Sequence, residues 1–501
     1  MSPGAPLQQP RPPRSRAAGH ILMLSGGTVL GQIATMAVIP LVTRLYTPAD
    51  MGLYAAFVAL AGIFSTTIAL HYELAIPLPR TLRAADRVMV VALAATLLCA
   101  VLIGIAAWLC AGLIQRHIIG RIGGLDVRTV LWLLPLALIL QGIANTLTMR
   151  AVRTASFART AAARGAQGIV QSLLQVAAGW MESGVMGLLA GQVAGQVAAI
   201  VPFVSGARTA ERRRGDFGAA RLWAVARRYW RFPLIATWSS LINALTANLP
   251  VILLASSFDA AIAGKFALSF RVLQLPLRLL GQAVSQVFFS GAVVAARSEG
   301  ALSATTERSF RFMFRFAFPC FAVLACVGPR VFSYAFGSVW YDAGVYTQLL
   351  APWLFFGFLA TVLAVLVSVL NLQAAEFGFQ IALLVATLAA VVAGAAAHSA
   401  QLAVGVLGNL AGALLLIKLL WLLRRAGVAL APLRRFCARE MLRSAPLIVA
   451  LLVLAEATRS DLLVSVAAAV ALVALEMLSY FRRERPSDSA AHALGSAGCA
   501  P

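Results

Sequence analysis

The sequence predicts an all-α polytopic membrane protein, two six-helix bundles followed by an extra helix pair, and three observations carry that prediction. Of its 501 residues, 61% are hydrophobic and 12% charged, with a mean hydropathy of +0.86, whereas soluble domains are roughly a quarter charged. The apolar residues fall in runs of about 18 to 25, long enough to cross a hydrocarbon core of ~30 Å as helix. Arginines cluster in alternate loops, and a weak repeat recurs across the longest polar interruption.

Fourteen candidate spans follow one another at residues 20–45, 51–79, 86–115, 129–152, 161–181, 184–206, 232–257, 261–292, 310–333, 346–372, 377–397, 402–424, 443–458 and 462–481. The thirteenth is the weakest. With the N-terminus placed inside, 31 of the 41 Lys and Arg lie in inside segments and 7 in outside loops, the rest falling within spans. Positive residues retained on the cytoplasmic face predict this asymmetry, and both termini are then cytoplasmic. Residues 1–19, rich in Pro and Arg, read as a cytoplasmic tail before a retained helix, not as a signal peptide.

The polar stretch 207–231 divides the chain into bundles at 20–206 and 232–425, leaving 426–483 as the extra pair and 484–501 as a second tail. The segment Arg44-Leu-Tyr-Thr-Pro-Ala-Asp-Met-Gly52-Leu-Tyr-Ala55 after span one is similar to Ser256-Ser-Phe-Asp-Ala-Ala-Ile-Ala-Gly264-Lys-Phe-Ala267 after span seven. Six spans separate the copies, so the repeats share an orientation and imply a pseudo-two-fold along the membrane normal.

Span eight carries Arg271, Gln274, Arg278, Gln282 and Ser285, with Pro276 among them. At ~100° per residue these five lie within an arc of roughly 80°. An arginine near the bilayer centre costs at least ~2.5 kcal/mol, so the stripe faces either a hydrated, anion-binding cavity or internal carboxylates such as Glu73, Glu376 and Glu476. Arg271 also lies near enough to the outer end to snorkel. The forked guanidinium donors suit phosphate oxygens, and Pro276 predicts a kink.

Further polar stripes are Ser25, Thr28 and Gln32 in span one, Gln141, Asn145 and Thr148 in span four, and Gln167, Gln171 and Gln175 in span five. Each set occupies one helix face. Such amides either bond sugar hydroxyls in a cavity or tie helices together at ~0.6 kcal/mol each. Gly184, Gly187, Gly191 and Gly195 predict close helix packing in span six. His71 and Glu73, near the inner end of span two, form either a proton-coupling pair or an interfacial pair facing Arg80 or Arg83.

The net charge of +23 is explained by loop arginines and does not point to nucleic acid. The six cysteines, at 99, 110, 320, 326, 437 and 499, form no CxxC pair and imply neither metal nor disulfide framework. No phosphate loop, HExxH motif or large external loop suggests hydrolysis or ATP use. A non-enzymatic role without cofactors is expected, with an ion gradient left open.

The stretch Leu24-Ser-Gly-Gly-Thr28, then Ile39-Pro-Leu-Val-Thr-Arg-Leu-Tyr-Thr-Pro-Ala-Asp-Met-Gly52, then Tyr72-Glu-Leu-Ala-Ile-Pro-Leu-Pro-Arg80 resembles the N-terminal signature of Wzx-type polysaccharide flippases. Ala267-Leu-Ser-Phe-Arg-Val-Leu-Gln-Leu-Pro276, continued by Ala283-Val-Ser-Gln-Val-Phe288, is similar to that family's eighth-helix pattern. The resemblance covers most of residues 20–425. It implies the multidrug/oligosaccharidyl-lipid/polysaccharide exporter fold, with two bundles around a central cavity, alternating access, and undecaprenyl-pyrophosphate-linked oligosaccharide as substrate for exopolysaccharide or O-antigen synthesis in the bacterial inner membrane. A polysaccharide polymerase or chain-length regulator is the implied protein partner. Arg44, Glu73, Arg271 and Pro276 match pattern residues, with Arg271 the candidate for the pyrophosphate or an acidic sugar. Arg44 departs from a cavity role because it ends a helix. A multidrug exporter of the same superfamily would favour acidic cavity residues, and a glycosyl polymerase or ligase would need a larger external loop.

Overall fold

A computed structural model of the chain describes residues 36–110, 112, 127–205, 218–274 and 301–457. Among them every regular element is helical: α1 (Met36–Leu45), α2 (Pro48–Ser65), α3 (Leu82–Leu109), α4 (Val127–Arg153), α5 (Phe157–Trp180), α6 (Gly184–Ser205), α7 (Ala219–Arg228), α8 (Thr237–Ser257), α9 (Ala260–Leu273), α10 (Ala301–Phe336), α11 (Tyr341–Leu363), α12 (Val365–Val369), α13 (Gln373–Ala396), α14 (Ala400–Arg425) and α15 (Leu430–Ala457). Nine helices among the described residues are long and apolar enough to cross a membrane. The chain is an all-helical polytopic membrane protein.

It resolves into two compact units, Met1–Ala267 and Leu268–Pro501. The sequence places α8 and the start of α9 in the second bundle. In the structure α8 packs on α2, where a side chain on Gly62 would press on Asn248, and both group with the first unit.

Within the first unit, α2 starts sharply because Thr47-Pro48-Ala49-Asp50 is a complete capping box. The Thr47 hydroxyl accepts from the Asp50 amide at 3.2 Å, and the Asp50 carboxylate accepts from the Thr47 amide at 3.1 Å. Pro48 at the first turn has no amide to leave unpaired. Just before it, Tyr46 donates to the Gln175 carbonyl at 2.7 Å. Burial, and then the charge of Asp50, push this phenol above its ordinary pKa, so it stays a donor.

The predicted second span is not one helix. After Ser65 the chain turns through Leu70 and His71, both left-handed at φ 50° and 58°, into a single 3₁₀ turn, Tyr72–Ala75. Left-handed backbone is unfavourable for non-glycine residues, and Arg153 fixes the chain that follows the turn. Its guanidinium donates to the carbonyls of Pro77 at 2.9 Å, Arg80 at 3.2 Å and Pro79. Arg150 reaches Asp86 at 3.0 Å. Two arginines that the sequence marks only as topogenic thus clasp the end of this segment. Arg153→Gln should cost about 1–3 kcal/mol, seen as a lower apparent Tm of the detergent-purified protein. An unchanged Tm would refute the clasp.

The glycines of α6 do pack closely. A Cβ on Gly187, Gly191 or Gly195 would press into Ala178, Gln175 or Gln171 of α5. Gly184 differs from its predicted role: at φ 54° it serves the turn between α5 and α6.

In the second unit α10 is longer than predicted and runs through Pro319 and Pro329. Pro329 has no N–H for the carbonyl of Ala325, and Gln348 of α11 fills the gap, its amide donating to that oxygen at 2.7 Å. Gly328 and Gly344 allow the two backbones to meet there. The tenth predicted span breaks at Ala364 into α11 and α12, ending at Asn371 with φ 55°. The thirteenth begins early, at Leu430, because Phe436 docks among Phe314, Arg311 and Arg315, with Arg315 paired to Glu440 at 2.8 Å. The stretch 207–231, read as a linker, is helical over α7.

Candidate functional site

Polar side chains converge inside the first unit. A cleft of about 280 Å³ is lined by Glu73, Gln141, Asn145, Thr148, Arg164 and Gln167 among others. A smaller cavity of about 120 Å³ shares Gln141 and adds Ser65, Gln192 and Gln196. The broken span supplies Glu73, α4 the middle residues, α5 Arg164 and Gln167, and α6 the last two glutamines.

The amides are wired together. Gln196 donates to Gln141 at 3.4 Å, and Gln141 donates to Asn145 at 3.0 Å. Beside them Gln171 donates to the Tyr54 hydroxyl and Tyr54 to Gln192, both at 2.9 Å. Each such bond is modest in a membrane, ~0.6 kcal/mol. Together they hold acceptors and donors at fixed positions in an apolar bundle, where a hydroxyl-rich ligand can replace one partner with another.

Glu73 is 8% exposed and His71 6%. His71 Nδ1 lies 3.4 Å from Glu73 Oε1, at the long end of a hydrogen bond. Their outer atoms, Glu73 Oε2 and His71 Nε2, have no hydrogen-bond partner among the described residues. Arg80 and Arg83 are exposed, whereas Glu73 lines the cleft.

Of the predicted stripes, the structure thus brings Gln141, Asn145, Thr148, Gln167 and Glu73 to one cleft. It sets Gln171 in the adjoining hydrogen-bond chain. Gln175 turns away, donating to the Leu188 carbonyl at 3.1 Å as part of the α5–α6 contact. Gln192, Gln196 and Tyr54 are absent from the sequence reading. Each glutamine follows a glycine, Gly191 or Gly195, so the glycine lies on α5 while its neighbour, 100° round, points to the amide cluster. Two glutamines four apart in an apolar span were the available signal.

In the second unit, Arg271, on the last turn of α9, and Gln274, just past it, are half-buried. That turn is fixed by Phe270 against Trp353, ring centroids 5.2 Å apart, and by Ser269 donating to the Ala343 carbonyl. Of the carboxylates offered as arginine partners, Glu376 is engaged by Lys418 at 2.6 Å instead. Arg44 is exposed at the end of α1. Gln32, Ser25, Thr28, Pro276, Arg278, Gln282, Ser285, Glu476 and the fourteenth span lie outside the described residues. So do both tails. No group of three or more His, Cys, Asp or Glu able to hold a metal occurs among the described residues.

The sequence pattern of the family described as Polysaccharide biosynthesis protein matches residues 41–344. No curated protein matches by sequence. Among solved structures, the lipid II flippase MurJ in an inward closed conformation is similar with a TM-score of 0.69 at 10% identity, over 91% of this chain and 99% of that one. An inward-facing multidrug resistance MATE family transporter of the MOP superfamily is similar at 0.56 and 16%, over 81% and 94%. A MOP superfamily transporter from Pyrococcus furiosus, described as having a binding pocket of reverse polarity, is similar at 0.52 and 16%, over 81% and 95%.

Proposed function

Since the chain belongs to the polysaccharide biosynthesis protein family, we propose that it is a flippase, translocating undecaprenyl-pyrophosphate-linked oligosaccharide across the bacterial cytoplasmic membrane. The observation that carries this reading is the cleft of Gln141, Asn145, Thr148, Gln167, Arg164 and Glu73 enclosed by apolar helices. Neutral amides and a hydroxyl suit sugar hydroxyls, and the prenyl chain stays in lipid. Arg271 is the group proposed to meet the pyrophosphate. Moving such a ligand requires two states of different affinity or coupling to an ion gradient, and Glu73, buried beside His71, is the proposed coupling carboxylate. The fold likeness to MurJ and to MATE transporters supports a transporter without choosing the cargo.

The test is reconstitution in liposomes with a labelled lipid-linked oligosaccharide, its headgroup followed from one leaflet to the other. Translocation should depend on protein, fall roughly tenfold or more in Gln141→Ala/Asn145→Ala, and fall in Arg271→Ala. Absence of translocation under every ion gradient would overturn the proposal, and polymer formation would favour a polymerase.

A further inference from the structure

Helix α7 has two faces. One is fixed to the protein: Val225 and Tyr229 pack over Ala75, Ile76, Ala85 and Val88, and the Ala226 carbonyl accepts from the Tyr72 hydroxyl at 3.2 Å. The other is open among the described residues. Trp223 is 71% exposed and Trp230, in the turn after the helix, 50%, while Arg227, Arg228 and Arg231 are exposed beside them. Residues 219–237 contain no Asp or Glu.

Neither bulk water nor hydrocarbon suits that face as a whole. Two indoles facing water would waste apolar surface, and three guanidiniums in hydrocarbon would be costly. Trp beside Arg suits the headgroup layer, where the ring sits at the acyl boundary and the guanidinium meets phosphate. The next residues continue the surface: Leu234 and Trp238, leading into α8, are 56% and 62% exposed. The arginine asymmetry assigns this side to the cytoplasm.

We propose that α7 is a docking surface for anionic phospholipid headgroups, seated by Trp223 and Trp230 and held by Arg227, Arg228 and Arg231. A consequence follows for the cleft. The inner face of α7 rests on the 3₁₀ turn that carries Glu73, so a headgroup layer that holds α7 also holds that turn.

The full-length protein is reconstituted in vesicles of equal parts phosphatidylglycerol and phosphatidylcholine, with brominated chains on one lipid or the other. The fluorescence that disappears in Trp223→Phe/Trp230→Phe reports this helix. It should be quenched more strongly by brominated phosphatidylglycerol. The bias should weaken by roughly fivefold per arginine removed and be gone in Arg227→Gln/Arg228→Gln/Arg231→Gln. The Lys triple variant, which keeps the charge, should restore it and shows that the fold tolerates change there. Equal quenching by both lipids in the wild type would overturn the proposal, as would quenching by neither.

Discussion

Gly52→Val is expected to reduce translocation by the reconstituted protein roughly tenfold or more, with Gly264→Val doing the same. A Cβ on Gly52 would overlap the Ala260 carbonyl oxygen, and one on Gly264 would overlap that of Pro48. The contact is reciprocal: each glycine meets the residue four positions before the other, as equivalent residues do across a two-fold axis. These are the glycines that the repeat aligns after spans one and seven. The obstructing atoms are backbone, so no rotamer change relieves the overlap, and α2 and the start of α9 must move apart. If this crossing is made and broken during transport, even a methyl group biases the equilibrium against it. Membrane insertion should survive, because the change adds no polar group, while the apparent Tm in detergent should fall with the overpacking. Wild-type translocation by both valine variants would show that the crossing plays no part in the cycle.

The features the sequence reveals are those with a period. Apolar runs mark α3, α6, α13 and α14 because each is one uninterrupted helix, and the amides of α4 repeat every three or four residues, so their common face is visible. The break in span two is hidden because its residues, Ile68-Ala-Leu-His-Tyr-Glu73, contain neither Gly nor a proline ahead of the turn. The chain just after the turn is fixed from outside, by Arg153 bonding the Pro77 carbonyl from 76 residues away. Gln348 is silent for the same reason: its partner carbonyl is freed by Pro329, a pairing that no local pattern encodes. Gln192 and Gln196 carried a signal, but the glycines beside them explained the same helix. Helix α7 was legible only as eight arginines in a linker, since its packed face is set by Tyr72 and α3.

Lys418→Met alone, or Glu376→Gln alone, is expected to destabilise the protein by about 3–5 kcal/mol, whereas the double substitution should recover most of that loss. Lys418 lies in the otherwise apolar run 411–423 of α14 and pairs with Glu376 of α13 at 2.6 Å, their side chains 10% and 24% exposed. Removing either partner leaves a charge without its counterion at a place where water reaches poorly. Removing both leaves no charge to desolvate, and methionine keeps the unbranched length of the lysine without its charge. Glutamine is the better replacement for Glu376 on specific grounds. Gln380, one turn on, has a buried Oε1 with no hydrogen-bond partner among the described residues, and the new amide, at i,i+4 on the same helix face, can donate to it, which a methionine cannot. The readout is the apparent Tm in detergent for the two single variants and the double. A double variant no better than either single would mean that the charges do not compensate one another. If instead the double variant is stable yet fails to translocate, the pair acts in the transport cycle and not merely in the fold, since its structural contribution will have been replaced.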